Sequence, residues 1–154
     1  MKKVFTLVVV YNDEKILLGM KKRGFGEGLW NGFGGKVQEN ENIAQAAERE
    51  LLEEVGITPA ELASRGKLTF TFEDSDHILE THIFSINEFS GEVTESEEMK
   101  PEWFLHSDIP YDKMWTDDKH WLPHVLVGKN VRGAIHFDNK DNQQILSNSI
   151  ESYD

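Results

Sequence analysis

Three glutamates lie close together in the segment RELLEEVG, residues 49–56, at a spacing that could serve chemistry. If the segment is helical, Glu50, Glu53 and Glu54 share one face, because positions i, i+3 and i+4 are neighbours on an α-helix. Like charges at that spacing repel by about 0.2–0.5 kcal/mol per pair. Either another group offsets this repulsion, or the glutamates form a solvated helix face.

Two further charged groups allow two interpretations each. The basic run 21–23, Lys-Lys-Arg, is either the solvated end of a hairpin or a small anion-binding site. Asp117 and Asp118 follow Trp115 at the predicted start of a helix, where negative charge is favourable without any ligand. Residue types alone leave both the structural and the functional interpretation open for each group.

Composition excludes several classes of function. With 154 residues and a formal net charge of -12, the chain has the length of one domain, which we expect to span residues 1–154. The acidic balance argues against a protein that holds duplex DNA or RNA by neutralising many phosphates. The absence of cysteine excludes disulfides and thiolate metal sites, and the apolar run 7–10 is too short to span a membrane. We therefore expect a cytoplasmic monomer with neither a membrane nor a duplex nucleic acid as partner.

The acidic segment lies at the end of a well-marked helix. Asn42 and Gln45 have the spacing of a capping box, and Gly56 suits the left-handed residue that ends a helix, so a helix is predicted over residues 43–55. Its apolar stripe consists of Ile43, Ala47, Leu51 and Val55. The three glutamates border this stripe, and the edge of a core is a costly place for charges that only improve solubility.

Strands surround this helix in the sequence. Apolar runs and alternations predict strands at residues 4–11, 15–21, 67–73, 79–89, 133–137 and 143–150. A second helix is predicted over 115–130, with Thr116 or Asp117 as its N-cap, and an acidic loop over 94–104. This order of elements predicts an α/β fold in which a mixed β-sheet is sandwiched between α-helices.

The segment from Gly35 to Ile57 matches the signature of the Nudix hydrolases at nine specified positions over 23 residues. The matching residues are Gly35, Glu41, Arg49, Glu50, Leu51, Glu53, Glu54, Gly56 and Ile57. The stretches 17–39, 95–104 and 114–121 resemble in particular the Nudix enzymes that act on oxidised purine nucleotides.

The resemblance implies the Nudix fold and a magnesium-dependent hydrolase. The expected reaction converts 8-oxo-dGTP and 2-hydroxy-dATP to the monophosphate and pyrophosphate, which keeps damaged purines out of DNA. The alternative is a Nudix hydrolase of another nucleoside diphosphate derivative. The expected location is the cytoplasm, and also the nucleus or mitochondrial matrix if the source is eukaryotic.

The resemblance also implies a Mg²⁺ site on the predicted helix. Its expected ligands are Glu50, Glu53, Glu54, the carbonyl of Gly34, and Glu98 from the acidic loop. Carboxylates at this spacing suit a hard cation, which would remove the repulsion between them. Glu98 either completes the site or acts as base, Arg49 orients a catalytic glutamate, and Glu41 supports it.

The base-binding residues implied by the resemblance come from distant parts of the chain. They are Thr6, Lys21, Phe25, Asn31, Phe70, Phe72, Leu79, Trp115, Asp117 and Asp118. Lys21 is the expected phosphate contact, and the Asp pair is expected to read the purine edge, with one carboxyl protonated because two that share a site resist ionising together. Two positions depart from the family pattern: Thr116 replaces a proline, and Leu79 replaces a methionine.

Overall fold

A mixed β-sheet of nine strands forms the centre of the computed structural model, which describes all residues from Met1 to Asp154. The strands are β1 (Lys2–Tyr11), β2 (Lys15–Lys21), β3 (Trp30–Asn31), β4 (Thr58–Pro59), β5 (Ala63–Phe72), β6 (Ser75–Ile86), β7 (Phe89–Ser90), β8 (Met99–Leu105), β9 (Asn130–Phe137), β10 (Ile145–Asn148) and β11 (Glu151–Tyr153). The α-helices are α1 (Ile43–Val55) and α2 (Asp118–Leu126), and short 3₁₀ helices cover His106–Asp108 and Tyr111–Lys113.

The order of strands along the large sheet is β10-β9-β5-β6-β1-β2-β3, with β8 paired to β2 and β11 paired to β9. The pairs β1 with β6 and β5 with β9 are parallel, and the other pairs are antiparallel. Strands β4 and β7 form a separate two-stranded sheet. The expectation of a mixed sheet is confirmed.

The central strand β1 supplies side chains to two hydrophobic cores, because successive side chains of a strand point to opposite faces. Val9 packs on the face that also holds Trp121, Leu122 and Val125 of α2. Val8 and Val10 pack on the other face, with Ala47, Leu51 and Val55 of α1. One helix therefore covers each face, which confirms the predicted sandwich. Neither α-helix has the length and hydropathy that crossing a bilayer requires.

Helix α1 begins and ends where the sequence predicts. The Asn42 side chain accepts from the N–H of Gln45, and the Gln45 side chain accepts from the N–H of Asn42, both at 2.8 Å. Gly56 adopts φ 75° and donates its N–H to the carbonyl of Leu52. This reciprocal cap and left-handed stop set the helix bounds and hold the acidic segment against the sheet.

The prediction for the second helix is wrong in its bounds. The structure has α2 only from Asp118 to Leu126, and Asn130 already begins β9. Thr116 does not cap the helix, and Asp117 occupies the N-cap position without a side-chain capping bond. The carboxylate of Asp117 instead accepts from the indole of Trp121, so a side-chain contact one turn along the same helix replaces the expected cap.

Three predictions for strands and loops also need correction. The predicted loop 94–104 contains β8, which pairs with β2 along its whole length, from Lys15 opposite Leu105 to Lys21 opposite Met99. The predicted strand 143–150 divides into β10 and β11, which pair with different parts of β9. Strand β6 spans residues 75–86 rather than 79–89, because the hairpin turn lies earlier. Only the first case, β8 with β2, depends on pairing between strands far apart in the sequence.

Candidate active site

One cavity of about 260 Å³ opens on the face of the sheet next to α2. All ten residues expected to contact the substrate line it: Thr6, Lys21, Phe25, Asn31, Phe70, Phe72, Leu79, Trp115, Asp117 and Asp118. Gly34 and Glu54 line it too. The fold thus brings residues from five strands, the glycine-rich loop and the start of α2 to a single site.

Aromatic rings form the walls of this cavity. The rings of Phe25 and Trp115 are 5.1 Å apart at an interplanar angle of 48°. Phe25 is 53% exposed, so it stands at the open side of the cavity. Phe70 and Phe72 lie deeper, each stacked on Phe137. A planar heterocycle that enters the cavity therefore meets aromatic surface, which suits a base.

The carboxyl groups of Asp117 and Asp118 lie at the cavity and are almost completely buried, with 3% exposure each. Burial raises the pKa of both, and the charge of Asp117 raises the pKa of Asp118 further, well above its usual range. The Trp121 N–H, 2.8 Å from Asp117 Oδ2, opposes the rise for Asp117. The pKa of Asp118 is therefore raised more strongly than that of Asp117.

Asp118 Oδ2 is buried without a hydrogen-bond partner in the protein. An unpaired buried polar atom costs free energy, about 1–3 kcal/mol, which a ligand that supplies the missing partner recovers. The nearby phenol of Tyr111 responds to the same environment, since burial and the charge of Asp118 raise its pKa to about 12. The base end of the cavity is thus prepared for polar contacts that the protein does not make with itself.

Glu54 is the acidic residue of α1 that reaches the cavity. It is only 2% exposed, and its Oε1 accepts from the N–H of Gly34 at 2.9 Å. Burial, and then repulsion from Glu50, raise the pKa of Glu54 to about 8, against the lowering effects of Gly34 and Lys21. Burial also raises the pKa of Glu50, although Arg49 opposes the rise.

Arg49 is the basic residue at the centre of the acidic cluster. It donates to both oxygens of Glu41, at 3.0 and 2.8 Å, and to Glu50 at 2.8 Å. It also donates to Glu53 at 3.3 Å and to the carbonyl of Lys36 at 3.2 Å. The guanidinium fork therefore ties Glu50 to the loop before the helix and fixes the direction of its carboxylate.

Three of the predicted metal ligands, Glu50, Glu53 and Glu98, do not line the cavity. Glu53 has a side chain that is 60% exposed, and Glu98 is exposed on the loop before β8. The charge of Glu98 nevertheless contributes to the raised pKa of Glu50 and Glu54. No three acidic or histidine side chains converge closely enough to hold a metal ion by themselves. Glu50, Glu54 and the carbonyl of Gly34 remain as an all-oxygen set. Such a set fits Mg²⁺, which commonly takes one or two carboxylates and completes its shell with water and substrate phosphates.

Close approach of the backbone explains the two glycines beside this cluster. A Cβ on Gly34 would lie 1.9 Å from the carbonyl oxygen of Thr6, and a Cβ on Gly35 would lie 2.6 Å from Glu50 Oε1. Any larger residue would push the loop away from β1 and from α1. The glycines thus allow the loop to pack directly against β1 and against the Glu50 side chain of α1.

Sequence reasoning missed several residues of this site. Trp121 lines the cavity and bonds Asp117; its i+4 spacing from Asp117 on a helix is a signal that could have identified it. Met99 also lines the cavity, and its side chain occupies the space that a Cβ on Gly19 would need. No local signal marks Met99, because its position depends on the pairing of β8 with β2.

Comparison with known proteins identifies the family. The family model of the NUDIX domain matches residues 1–125. A mouse protein named oxidized purine nucleoside triphosphate hydrolase is 47% identical over 152 residues, covering 99% of this chain and 96% of its own. A zebrafish protein of the same name is 48% identical, covering 90% of this chain and 89% of its own.

Solved structures agree with the sequence comparison. The crystal structure of the MutT protein from Bacillus halodurans superposes with a TM-score of 0.85 at 27% identity, and the match covers 97% of each chain. The capped acidic helix, the mixed sheet and the extent of the match lead to one conclusion: this chain belongs to the NUDIX domain family, the Nudix hydrolases.

Proposed function

We propose that this protein is a Mg²⁺-dependent diphosphatase of oxidised purine nucleoside triphosphates. It converts substrates such as 8-oxo-dGTP and 2-hydroxy-dATP to the nucleoside monophosphate and pyrophosphate. The observation that carries the proposal is the connection of Asp117 and Asp118 with Glu54 in one cavity. The similarity to the mouse and zebrafish hydrolases over nearly the whole chain supports the same substrate class.

The base end of the cavity accounts for the choice of purine. Asp117, which already accepts from Trp121, can accept from N–H groups on a purine edge, and Asp118, whose pKa is raised more strongly, can donate to an acceptor on the same edge when it is protonated. Oxidation changes which groups on the purine edge donate and accept. The number of hydrogen bonds that the base forms with Asp117 and Asp118 therefore changes too. A site built on buried hydrogen bonds rejects a base that leaves its groups unpaired.

The phosphate end of the cavity supplies the hydrolysis. Lys21 lines the cavity and contributes positive charge beside the acidic cluster. Glu50 and Glu54 would hold Mg²⁺ together with the Gly34 carbonyl, while Arg49 directs Glu50. When bound, the cation offsets the negative charge of the phosphates and makes attacking water more acidic.

A substrate panel tests the proposal. With Mg²⁺, kcat/KM for 8-oxo-dGTP or 2-hydroxy-dATP is expected to exceed the values for dGTP and dATP by at least about tenfold. A dinucleotide and a nucleotide sugar belong in the same panel, since a preference for either would identify another Nudix activity. Equal kcat/KM for all four triphosphates contradicts the proposal.

Variants of the Asp pair link this preference to the cavity. Asp117→Asn is expected to reduce the ratio of kcat/KM between oxidised and ordinary purines while the affinity for Mg²⁺ stays at the wild-type value. A purely structural role for Asp117 predicts the opposite, namely lower stability with the ratio preserved.

A further inference from the structure

The loop of residues 138–144, between β9 and β10, is held in one shape by its own hydrogen bonds. Asp138 Oδ1 accepts from the N–H groups of Asn139 and Gln144 at 2.7 and 2.8 Å. The N–H of Asp138 donates to the carbonyl of Gln144 at 2.9 Å, which closes the base of the loop. Asn139 Oδ1 accepts from the N–H of Asn142 at 2.6 Å. The loop is therefore ordered enough to position another segment.

Gln143 is the unusual residue of this loop. Its φ is 54°, in the left-handed region that non-glycine residues seldom adopt, and it is buried with 9% exposure. Its N–H donates to the carbonyl of Asn139 at 3.0 Å. A residue keeps such a conformation when its surroundings hold it there, and residues of this kind concentrate around binding sites.

Gln143 accepts two hydrogen bonds from Thr116. The hydroxyl of Thr116 donates to the carbonyl of Gln143 at 2.7 Å, and the N–H of Thr116 donates to Gln143 Oε1 at 3.3 Å. Neither residue lines the cavity, but Thr116 lies between Trp115 and Asp117, which both do. No side-chain cap closes the start of α2 at this point, so the contact with Gln143 replaces local capping with a bond from a segment 27 residues away.

The same loop also lies close to Phe25, the second aromatic residue at this part of the cavity. Lys140 Nζ lies 5.4 Å from the centroid of the Phe25 ring, and that ring packs on Trp115. The loop thus contacts both aromatic walls, one through a cation over a ring and the other through the backbone next to Trp115. A shift of the loop would move the walls and Asp117 relative to a bound base.

We propose that Gln143 is a positioning residue for base selection, acting through Thr116 on Trp115 and Asp117. The inference rests on the proposed function, because it assigns to Gln143 the alignment of the site that reads the oxidised purine. Gln143 and Thr116 touch neither the base nor the phosphates. Their contribution is expected in the affinity for the base and in its discrimination, while the hydrolytic step at the other end of the cavity proceeds unchanged.

Two variants separate the two hydrogen bonds. Thr116→Val removes the hydroxyl donor and keeps the side-chain shape. Gln143→Gly removes the acceptor Oε1 and retains a residue that tolerates positive φ, so folding is preserved. The matched control is Thr94→Val, because Thr94 also loses a hydroxyl bond to a backbone carbonyl, that of Glu92 at 2.8 Å, and neither Thr94 nor its neighbours line the cavity.

The expected result is a split between KM and kcat. Thr116→Val and Gln143→Gly each raise KM for 8-oxo-dGTP by roughly threefold to tenfold, the effect of one lost hydrogen bond, and change kcat by less than about twofold. The dissociation constant of 8-oxo-dGMP, measured by calorimetry, rises by the same factor. The ratio of kcat/KM for 8-oxo-dGTP over dGTP falls, whereas Thr94→Val leaves it at the wild-type value.

Other outcomes overturn the inference. If both variants keep the wild-type ratio, or lose no more of it than Thr94→Val does, Gln143 has only a structural role. The double variant Thr116→Val/Gln143→Gly removes both hydrogen bonds and is expected to lose more of the ratio than either single variant; a double variant that keeps the wild-type ratio contradicts the inference. The wild-type panel distinguishes the two proposals: a wild type without preference for oxidised purines contradicts the proposed function itself.

Discussion

The indole N–H of Trp121 donates to Asp117 Oδ2 at 2.8 Å, one turn along α2 and shielded from solvent. This bond makes the two neighbouring aspartates unequal, because it stabilises the charge of Asp117 and opposes the rise of its pKa, while the charge of Asp117 raises the pKa of Asp118 further. A pair of equal carboxyls would offer a ligand no defined pattern of donors and acceptors. The hydrogen bond from Trp121 makes the two carboxyls different and so gives the pair a defined pattern of donor and acceptor.

Trp121→Phe tests this role by removing the donor and keeping most of the ring. Loss of the bond raises the pKa of Asp117, so less of it is ionised near pH 7. We expect kcat/KM for the oxidised purine to fall by roughly tenfold at pH 7, and the acidic limb of its pH profile to move to higher pH. Trp103→Phe is the control, since Trp103 is 37% exposed on β8. A shift of the limb in both variants, or in neither, contradicts the assignment.

Asp118→Asn tests the buried proton through stability. The pKa of Asp118 is raised in the folded state, so the folded protein keeps a proton that the unfolded chain releases above about pH 4. Wild-type stability therefore declines as the pH rises from that value toward the folded pKa. Asparagine does not titrate, and we expect the variant's Tm, relative to wild type, to increase over this range.

Thermal unfolding at a series of pH values measures this difference. In a chain of this size each kcal/mol corresponds to about 2–4 °C of Tm. The exposed residue Asp112 offers the matched control, because Asp112→Asn makes the same chemical change at the surface. A constant Tm difference between pH 4 and pH 8 for Asp118→Asn would show that Asp118 is ionised in the folded protein.

Glu54→Gln tests the metal end of the cavity. The glutamine side chain has nearly the same shape as a protonated glutamate, and its carbonyl oxygen can still accept from the N–H of Gly34. The metal-free variant is therefore expected to remain folded. We expect kcat to fall by at least about 100-fold, beyond the 10–100-fold typical of residues behind a metal ligand. Mg²⁺ should raise the Tm of the wild type through linkage and leave that of the variant unchanged. Glu48→Gln, on the exposed face of α1, should behave as wild type; retention of Mg²⁺ stabilisation by Glu54→Gln would exclude Glu54 as a ligand.

Arg49→Lys tests the support of Glu50. Lysine keeps the charge but cannot form the forked contacts that Arg49 makes with Glu41 and Glu50. We expect the affinity for Mg²⁺, measured by calorimetry, to fall by about 10–100-fold. Arg132→Lys is the matched control, because Arg132 makes one exposed ion pair with Glu151. Unchanged Mg²⁺ affinity in Arg49→Lys would show that Glu50 does not depend on this arginine for its orientation.

Helix α1 was predictable to the residue because its signals are local. The capping box and the left-handed glycine each act within a few residues of the chain, and the sequence pattern contains them whole. Helix α2 shows the opposite case. Its expected cap, Thr116, donates its hydroxyl to Gln143, and the remaining candidate, Asp117, bonds Trp121. Tertiary partners there override local capping preferences.

The candidate site likewise has features that the local sequence predicts and features that depend on tertiary packing. The spacing of the glutamates and of Arg49 places them on one helix, and family resemblance named the residues of the cavity without showing how they meet. The deep position of Glu54 and the exposed position of Glu53 depend on how α1 packs on the sheet, since adjacent helical residues point in directions about 100° apart. Met99 enters the cavity through the pairing of β8 with β2.

By itself, the sequence determined the acidic helix, the strand-rich α/β class and the family, because periodicity, capping and motif spacing are properties of neighbouring residues. Only the tertiary structure decided the unequal environments of Asp117 and Asp118, the burial of Glu54 and the contact between Thr116 and Gln143. The physical reason is that desolvation and long-range hydrogen bonds depend on which distant segments meet. The electrostatics of the candidate site therefore depend on the packing of the whole chain.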